Sequence, residues 1–159
     1  YHSGEDRARA VTDEIGQRGG TAKAYRVDVA DEGEVKELFA TIDREFGDVN
    51  ILVNNAGVNG SNTPVEDMTT EQWDGVIKTD LYGPFFCCRE FLQLKKKYKT
   101  YKGNRIINVS SIHQHVNVPG NANYNASKAA MRNLAYTMAL ELASRELTVN
   151  NVAPGMILT

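Results

Sequence analysis

The sequence predicts an α/β fold, a doubly wound parallel sheet in a three-layer sandwich, and three observations carry that prediction. Short apolar runs alternate with helical periodicities of ten residues or more, the pattern of β-α-β units. Runs such as "NILV" at 50–53 and "RIINV" at 105–109 are rich in branched apolar residues, as strands covered on both faces are. Glycine, proline, asparagine and threonine stand at the boundaries, where the chain has to turn.

Residues 3 to 18 read as a helix: Ser3 can cap it, Glu5 and Asp6 suit the positive first turn, Ala8, Val11 and Ile15 make a stripe, and Gly19-Gly20 stop it. "AKAYRVDV" at 22–29 predicts a strand with Tyr25, Val27 and Val29 on one side. From about Asp31 to Phe46, Val35, Leu38, Phe39, Ile42 and Phe46 recur at helical spacing, and Gly47 ends the helix. "NILVNNAG" is then a short strand running into a polar, glycine-bearing turn.

Thr69 or Thr70 can cap a helix through Trp73, Val76, Ile77, Leu81 and Phe85 that extends past Phe91 and Leu94, with Gly83-Pro84 bending or breaking it. "RIINVSS" at 105–111 is a third strand, 123–144 a long Ala- and Met-rich helix, and "LTVNNV" at 147–152 a fourth strand.

The 159 residues suit one domain, 1–159, or part of one. Eighteen basic against 20 acidic residues leave a net charge of −2, with no footprint for nucleic acid or an anionic membrane. The basic run Lys95 to Lys97, with Lys99 and Lys102, reads as a solvated helix end. No apolar run approaches the roughly 20 residues of a membrane span, and "YHSGEDRARA" has no signal-peptide core, so a cytoplasmic location is expected. Cys87 and Cys88 are adjacent, where a disulfide would be strained, and are expected to be reduced thiols packed on a helix.

In parallel sheets ligands bind beyond the carboxyl ends of the strands. Those ends carry Asp28, then Asn54 to Gly57, then Ser110-Ser111, then Pro154-Gly155, together the rim of one pocket. Tyr124 and Lys128 lie one helical turn apart, so both can act on one object. With seven Tyr and nine Lys, that spacing arises by chance roughly 0.4 times, so its surroundings decide. Tyr98 and Lys102 share the spacing but follow no Ser-bearing strand end, and read as surface residues.

Taken in order, Asp28-Val29, "NNAG" at 54–57, Ser111, Tyr124-x-x-x-Lys128 and "PG" at 154–155 resemble the short-chain dehydrogenase/reductase family of the classical type, across essentially the whole chain. "INVSSIHQ" and "YNASKAAM" are similar to the bacterial glucose 1-dehydrogenases within it. The resemblance implies a Rossmann-like sheet and an oxidoreductase that transfers a hydride between NAD or NADP and the CH-OH or C=O group of a small-molecule sugar, alcohol or ketone. It implies that Tyr124 is the acid/base, Lys128 its activator, Ser111 the donor to the substrate oxygen and Asp80 a relay residue. Asp28 and Val29 would contact adenine, Asn55, Ala56 and Gly57 the adenosine side, and Tyr124 and Lys128 the nicotinamide ribose. Pro154, Gly155, Ile157 and Thr159 would flank the nicotinamide. A homotetramer or dimer built on the helices around 71–98 and 123–144 is also implied.

The residue types suit that chemistry. An alcohol must lose its proton as the hydride leaves, and a free tyrosine, with a pKa of about 10, is a poor base near neutral pH. A cation beside the phenol and a hydroxyl aimed at the substrate oxygen remedy this. Non-catalytic sensors or scaffolds and epimerases or lyases of the same fold are the alternatives.

The chain departs from the family in two places. It contains no Gly-rich phosphate loop, and the first two strands are missing, so a gap is expected in the sheet between 22–29 and 50–54; an incomplete chain, inactive alone, is the expectation. Asp80 stands where the family usually has Asn. His113 resembles the histidine at the same offset in glucose dehydrogenases and is a candidate substrate contact. His113 and His115 lack a third partner, so no metal is expected.

Overall fold

The computed structural model describes residues 1–157. Three parallel strands, β1 (Ile51–Asn54), β2 (Arg105–Val109) and β3 (Thr148–Val152), form one sheet in that order. Leu52 pairs with Ile106, and Ile106 with Val149, so one apolar row runs straight across it. Three helices cover the face that carries this row: α2 (Glu32–Phe46), α4 (Gly83–Tyr98) and α5 (Ala122–Leu142). Val35, Phe39, Cys88, Phe91, Ile106, Met138 and Leu147 fill the space between. The other face is bare among the described residues, with Ile51 58% and Val53 53% exposed.

Residues 22–29 do not form the predicted strand. They run beside the N-terminus, where Tyr1 donates to the Tyr25 carbonyl at 2.7 Å and accepts from Val27 at 2.8 Å. A strand needs a neighbouring backbone to bond. Here a cavity of about 920 Å³ lies against this segment, lined also by Leu38, Ile42, Val49 and Ala56, and β1 is the edge of a three-stranded sheet rather than one side of an internal gap. The first helix, α1 (Glu5–Gln17), buries none of its residues, and its Val11 and Ile15 stay exposed. Its cap is Gly4 at φ 84°, not the predicted Ser3.

Elsewhere local chemistry sets the boundaries. Asp31 caps α2 by accepting from Glu34 N–H at 2.9 Å, and Gly47 ends it at φ 72°. Thr69 opens α3 (Thr70–Ile77) with a reciprocal pair: its hydroxyl accepts from Gln72 N–H at 3.2 Å and its own N–H donates to the Gln72 side chain at 3.0 Å. Gly83-Pro84 is expected to bend or break the long helix that begins here, and the α-helix is interrupted at that point: Lys78–Tyr82 form a π-helical turn, closed by Gly83 N–H donating to Lys78 C=O. Pro84 has no N–H to give the Asp80 carbonyl four residues back, so the helix widens there and resumes as α4.

The basic run also differs from its reading as a solvated end. Lys95 is fully buried, spaced with Cys87, Cys88, Phe91 and Leu94 on the core side of α4. Its ammonium meets the Asp48 carboxylate and the Asn104 side-chain oxygen, the latter at 3.1 Å. Asn104 in turn accepts from Asn50 and donates to the Thr100 and Tyr101 carbonyls. Burial opposes charge on Asp48, but Lys95 and the Thr100 hydroxyl outweigh it and hold the carboxyl below its usual value.

A depressed folded-state value means that the stabilisation is present above about pH 4, the unfolded value, and is lost as pH falls through the folded one. Asp48→Ala strands the Lys95 charge in the core. It is expected to lower unfolding free energy by about 3 kcal/mol in urea titrations at neutral pH. It should also flatten the acid limb of the stability curve below about pH 4.

Candidate active site

The first turns of α5 carry Tyr124 and Lys128 on one face, with the Lys128 ammonium 5.3 Å from the centre of the Tyr124 ring. Lys128 is 3% exposed and Asp80, in the π-helical turn, is 0% exposed. Their charges meet at 2.9 Å between Nζ and Oδ2. Oδ2 meets Lys128 as an ion pair and accepts no hydrogen bond, while Oδ1 accepts from Val58 N–H at 2.8 Å in the loop after β1. The same loop presses Gly57 against the pair: a Cβ there would lie 3.3 Å from Asp80 Oδ2 and 3.5 Å from Lys128 Nζ. A buried ion without its counter-charge costs several kcal/mol, so the pair fixes all three segments together.

Ser111, buried just beyond β2, accepts from His113 N–H at 3.2 Å. Ile112 N–H donates to the Pro154 carbonyl at 2.9 Å, which ties this turn to the end of β3. His113 Nδ1 must donate in its 2.8 Å contact with the Val116 carbonyl, because a carbonyl only accepts. The imidazole then stands nearly edge-on to Tyr124, ring centres 5.8 Å apart at 75°. Ser111, His113, Tyr124, Lys128 and Asp80 therefore form one contiguous group. Among the described residues no three His, Cys, Asp or Glu side chains gather as metal ligands, and His115 points to the Gln114 side chain.

Beneath the group runs a ladder of amides, buried at Asn54 and Asn108 and half-buried at Asn151. Asn54 Nδ2 donates to Asn108 Oδ1 at 2.8 Å, and Asn108 Nδ2 to Asn151 Oδ1 at 3.0 Å, one in-register rung across all three strands. Asn108 and Asn151 are not among the strand-end residues singled out above, although Asn108 stands two residues before Ser110 and Asn151 three before Pro154. Asn54 also donates to Cys88 Sγ at 3.3 Å. Burial pushes the Cys87 thiol up to about 11 and the Cys88 thiol to about 12, so both stay protonated and inert.

Around the large cavity, Asp28, Val29, Ala56 and Gly57 line one wall. Asn55 joins Val29 and Ala56 around a smaller apolar space of about 220 Å³. Asp28 Oδ1 accepts from Ala30 N–H at 2.9 Å, and the Asp28 N–H donates to Glu34 at 2.7 Å. Gly155 and Ile157 are exposed beyond β3, and Thr159 lies outside the described residues. The competing pair falls apart: α4 ends at Tyr98, whose hydroxyl donates to Asp43 at 2.7 Å, while Lys102 pairs with Glu146 at 2.6 Å.

Known proteins resemble this chain in sequence and in fold. Over all 159 residues the chain is 40% identical to the 3-oxoacyl-(acyl-carrier-protein) reductase FabG of Staphylococcus epidermidis, covering 64% of it. It is 41% identical to the 3-oxoacyl-(acyl-carrier-protein) reductase of Synechocystis, covering 63%, and 35% identical to Glucose 1-dehydrogenase 2 of Bacillus subtilis, covering 61%. The chain thus spans a little under two thirds of these relatives' length. A metagenomic short-chain oxidoreductase solved in complex with NADP superposes with a TM-score of 0.89 at 31% identity, over 98% of this chain and 69% of that one. A variant of a Serratia marcescens short-chain dehydrogenase/reductase gives 0.91 at 32% identity, over 100% and 63%. The sequence also matches the short chain dehydrogenase family from residue 1 to residue 159, and the chain belongs to that family.

Proposed function

We propose that the protein of which this chain is a part transfers a hydride between NAD or NADP and a CH-OH or C=O group of a small molecule, with Tyr124 as the acid/base. The observation that carries this reading is the Tyr124 ring beside a buried ammonium that is itself held by a buried carboxylate. Within that range the relatives' names favour a ketone over a sugar, because two of the three quoted are 3-oxoacyl reductases.

The residues present fit a nicotinamide cofactor on its adenosine and ribose sides. Gly57 keeps the backbone close beside the Asp80–Lys128 pair, where a Cβ would stand 3.3 Å from Asp80 Oδ2, and Asp28, Val29 and Ala56 border the cavity that also runs along residues 22–29. When bound, the cofactor supplies or accepts the hydride. The chain's own residues handle the proton and the oxygen. Tyr124 Oη would exchange the proton with the substrate hydroxyl, and Lys128 Nζ would favour the negative phenol oxygen through its field. The Ser111 hydroxyl, with its oxygen already accepting from His113 N–H, keeps its own hydrogen free to donate to the substrate oxygen. His113 is the proposed side-chain contact to a neighbouring substrate group. Asp80 would take the place of the usual Asn, holding Lys128 and the Val58 loop by charge as well as shape.

Exposed Tyr82 and Phe85 at the start of α4, with Tyr136 and Leu140 on α5, support assembly of a dimer or tetramer through these helices. Among the described residues no helix is long and apolar enough to cross a membrane, and a cytoplasmic location is proposed.

In the complete protein, Tyr124→Phe is expected to lower turnover of an active alcohol, sugar or ketone at least 10²-fold while cofactor binding persists, read by near-ultraviolet absorbance of the reduced nicotinamide. A parent silent toward the whole panel yet binding cofactor tightly would favour a sensor instead. Asp80→Asn keeps the side chain's shape and the acceptor for Val58 while releasing Lys128 from its counter-charge. Turnover at or above the parent's is expected, and a large loss would give the carboxylate a specific role.

A further inference from the structure

Resting on the proposed role of Tyr124, we infer that Asn123 is a positioning residue that clamps the first turn of α5 to α3 and to the loop after β1, and so sets where the phenol stands. Asn123 is fully buried although its side chain is polar. Its Nδ2 donates to the Gln72 carbonyl of α3 at 2.9 Å and to Ser61 Oγ at 3.3 Å, and its Oδ1 accepts from Tyr124 N–H at 2.9 Å. One amide therefore satisfies a helix-end N–H, belonging to Tyr124 itself, and reaches two other segments. Nothing in the helix alone provides this, since Asn121 at the cap makes no side-chain bond.

The clamp is reinforced around it. Gln72 donates to Thr63 Oγ1 at 3.2 Å, and Thr63 N–H donates to the Gly120 carbonyl at 2.8 Å. Gly60 sits so close to Asn121 that a Cβ would lie 2.1 Å from its side-chain oxygen. The loop is thus held twice, at Val58 by Asp80 and at Ser61 by Asn123, with Lys128 fixed through the first hold and Tyr124 through the second. Lys128 has an anchor of its own in Asp80, so loosening Asn123 is expected to move the phenol relative to the ammonium.

The test is steady-state kinetics of the complete protein with Asn123→Ala and Asn123→Ser, neither of which can span to Gln72, beside Tyr124→Phe. A displacement of about 1 Å at a reacting group costs up to about 10²-fold, so kcat is expected to fall about 10- to 100-fold, with the cofactor KM within about twofold and circular dichroism unchanged. Parent kcat in either folded variant overturns the clamp. A Tyr124→Phe protein as active as the parent would instead overturn the reading of Tyr124. Hydrogen exchange of the unmodified protein decides the matter without activity or variants. The Tyr124 amide is expected to exchange as slowly as amides in the middle of α5; exchange at the rate of a frayed helix end contradicts the clamp.

Discussion

The Asp80 carboxylate and the Lys128 ammonium are buried against each other, and much of the surrounding backbone follows from having to keep them so. Each charge alone would cost several kcal/mol away from water, and together they are tolerated only if their segments stay in register. The π-helical turn at Lys78–Tyr82 delivers Asp80, and Pro84, with no N–H for the Asp80 carbonyl, shapes that turn. The loop after β1 supplies an N–H to the carboxylate and a glycine where a side chain would intrude. On α5, one turn brings Lys128 under the Tyr124 ring.

Polar layers close both ends of an apolar middle. At the amino ends of the strands, Lys95, Asp48, Asn104 and Asn50 join α4 to the starts of β1 and β2. At the carboxyl ends, Asn54, Asn108 and Asn151 hold the three strands level beneath the candidate site. Such networks gain from the low dielectric around them only when nearly every group is paired. They fix lateral register, which apolar contacts between Leu52, Ile106 and Val149 do not specify as sharply.

The parts legible in the sequence were those set by local chemistry. Asp31 and Thr69 cap where capping residues stand, Gly47 ends α2, and the three strands of the sheet fall within the runs that named them. Tyr124, Lys128 and Ser111 were singled out by order and spacing, and they fall in one group with His113 and Asp80. What stayed hidden depends on partners far away in sequence. Residues 22–29 have strand composition but no adjoining strand, so composition alone misled. Lys95 read as solvated within a basic run, although its spacing from Phe91 already placed it on the core face of α4. Asn123 carries no signal in the sequence because its partners, Ser61 and Gln72, lie more than fifty residues away.

Asp80 and Lys128, buried against each other at 2.9 Å, are expected to act as a coupled unit. A double-mutant cycle on unfolding free energy, with Asp80→Asn, Lys128→Met and the two combined in the complete protein, measures that coupling directly. An interaction energy of about 1.5 kcal/mol or more is expected, with the double variant more stable than the sum of the single losses implies. Additivity to within about 0.3 kcal/mol would contradict it.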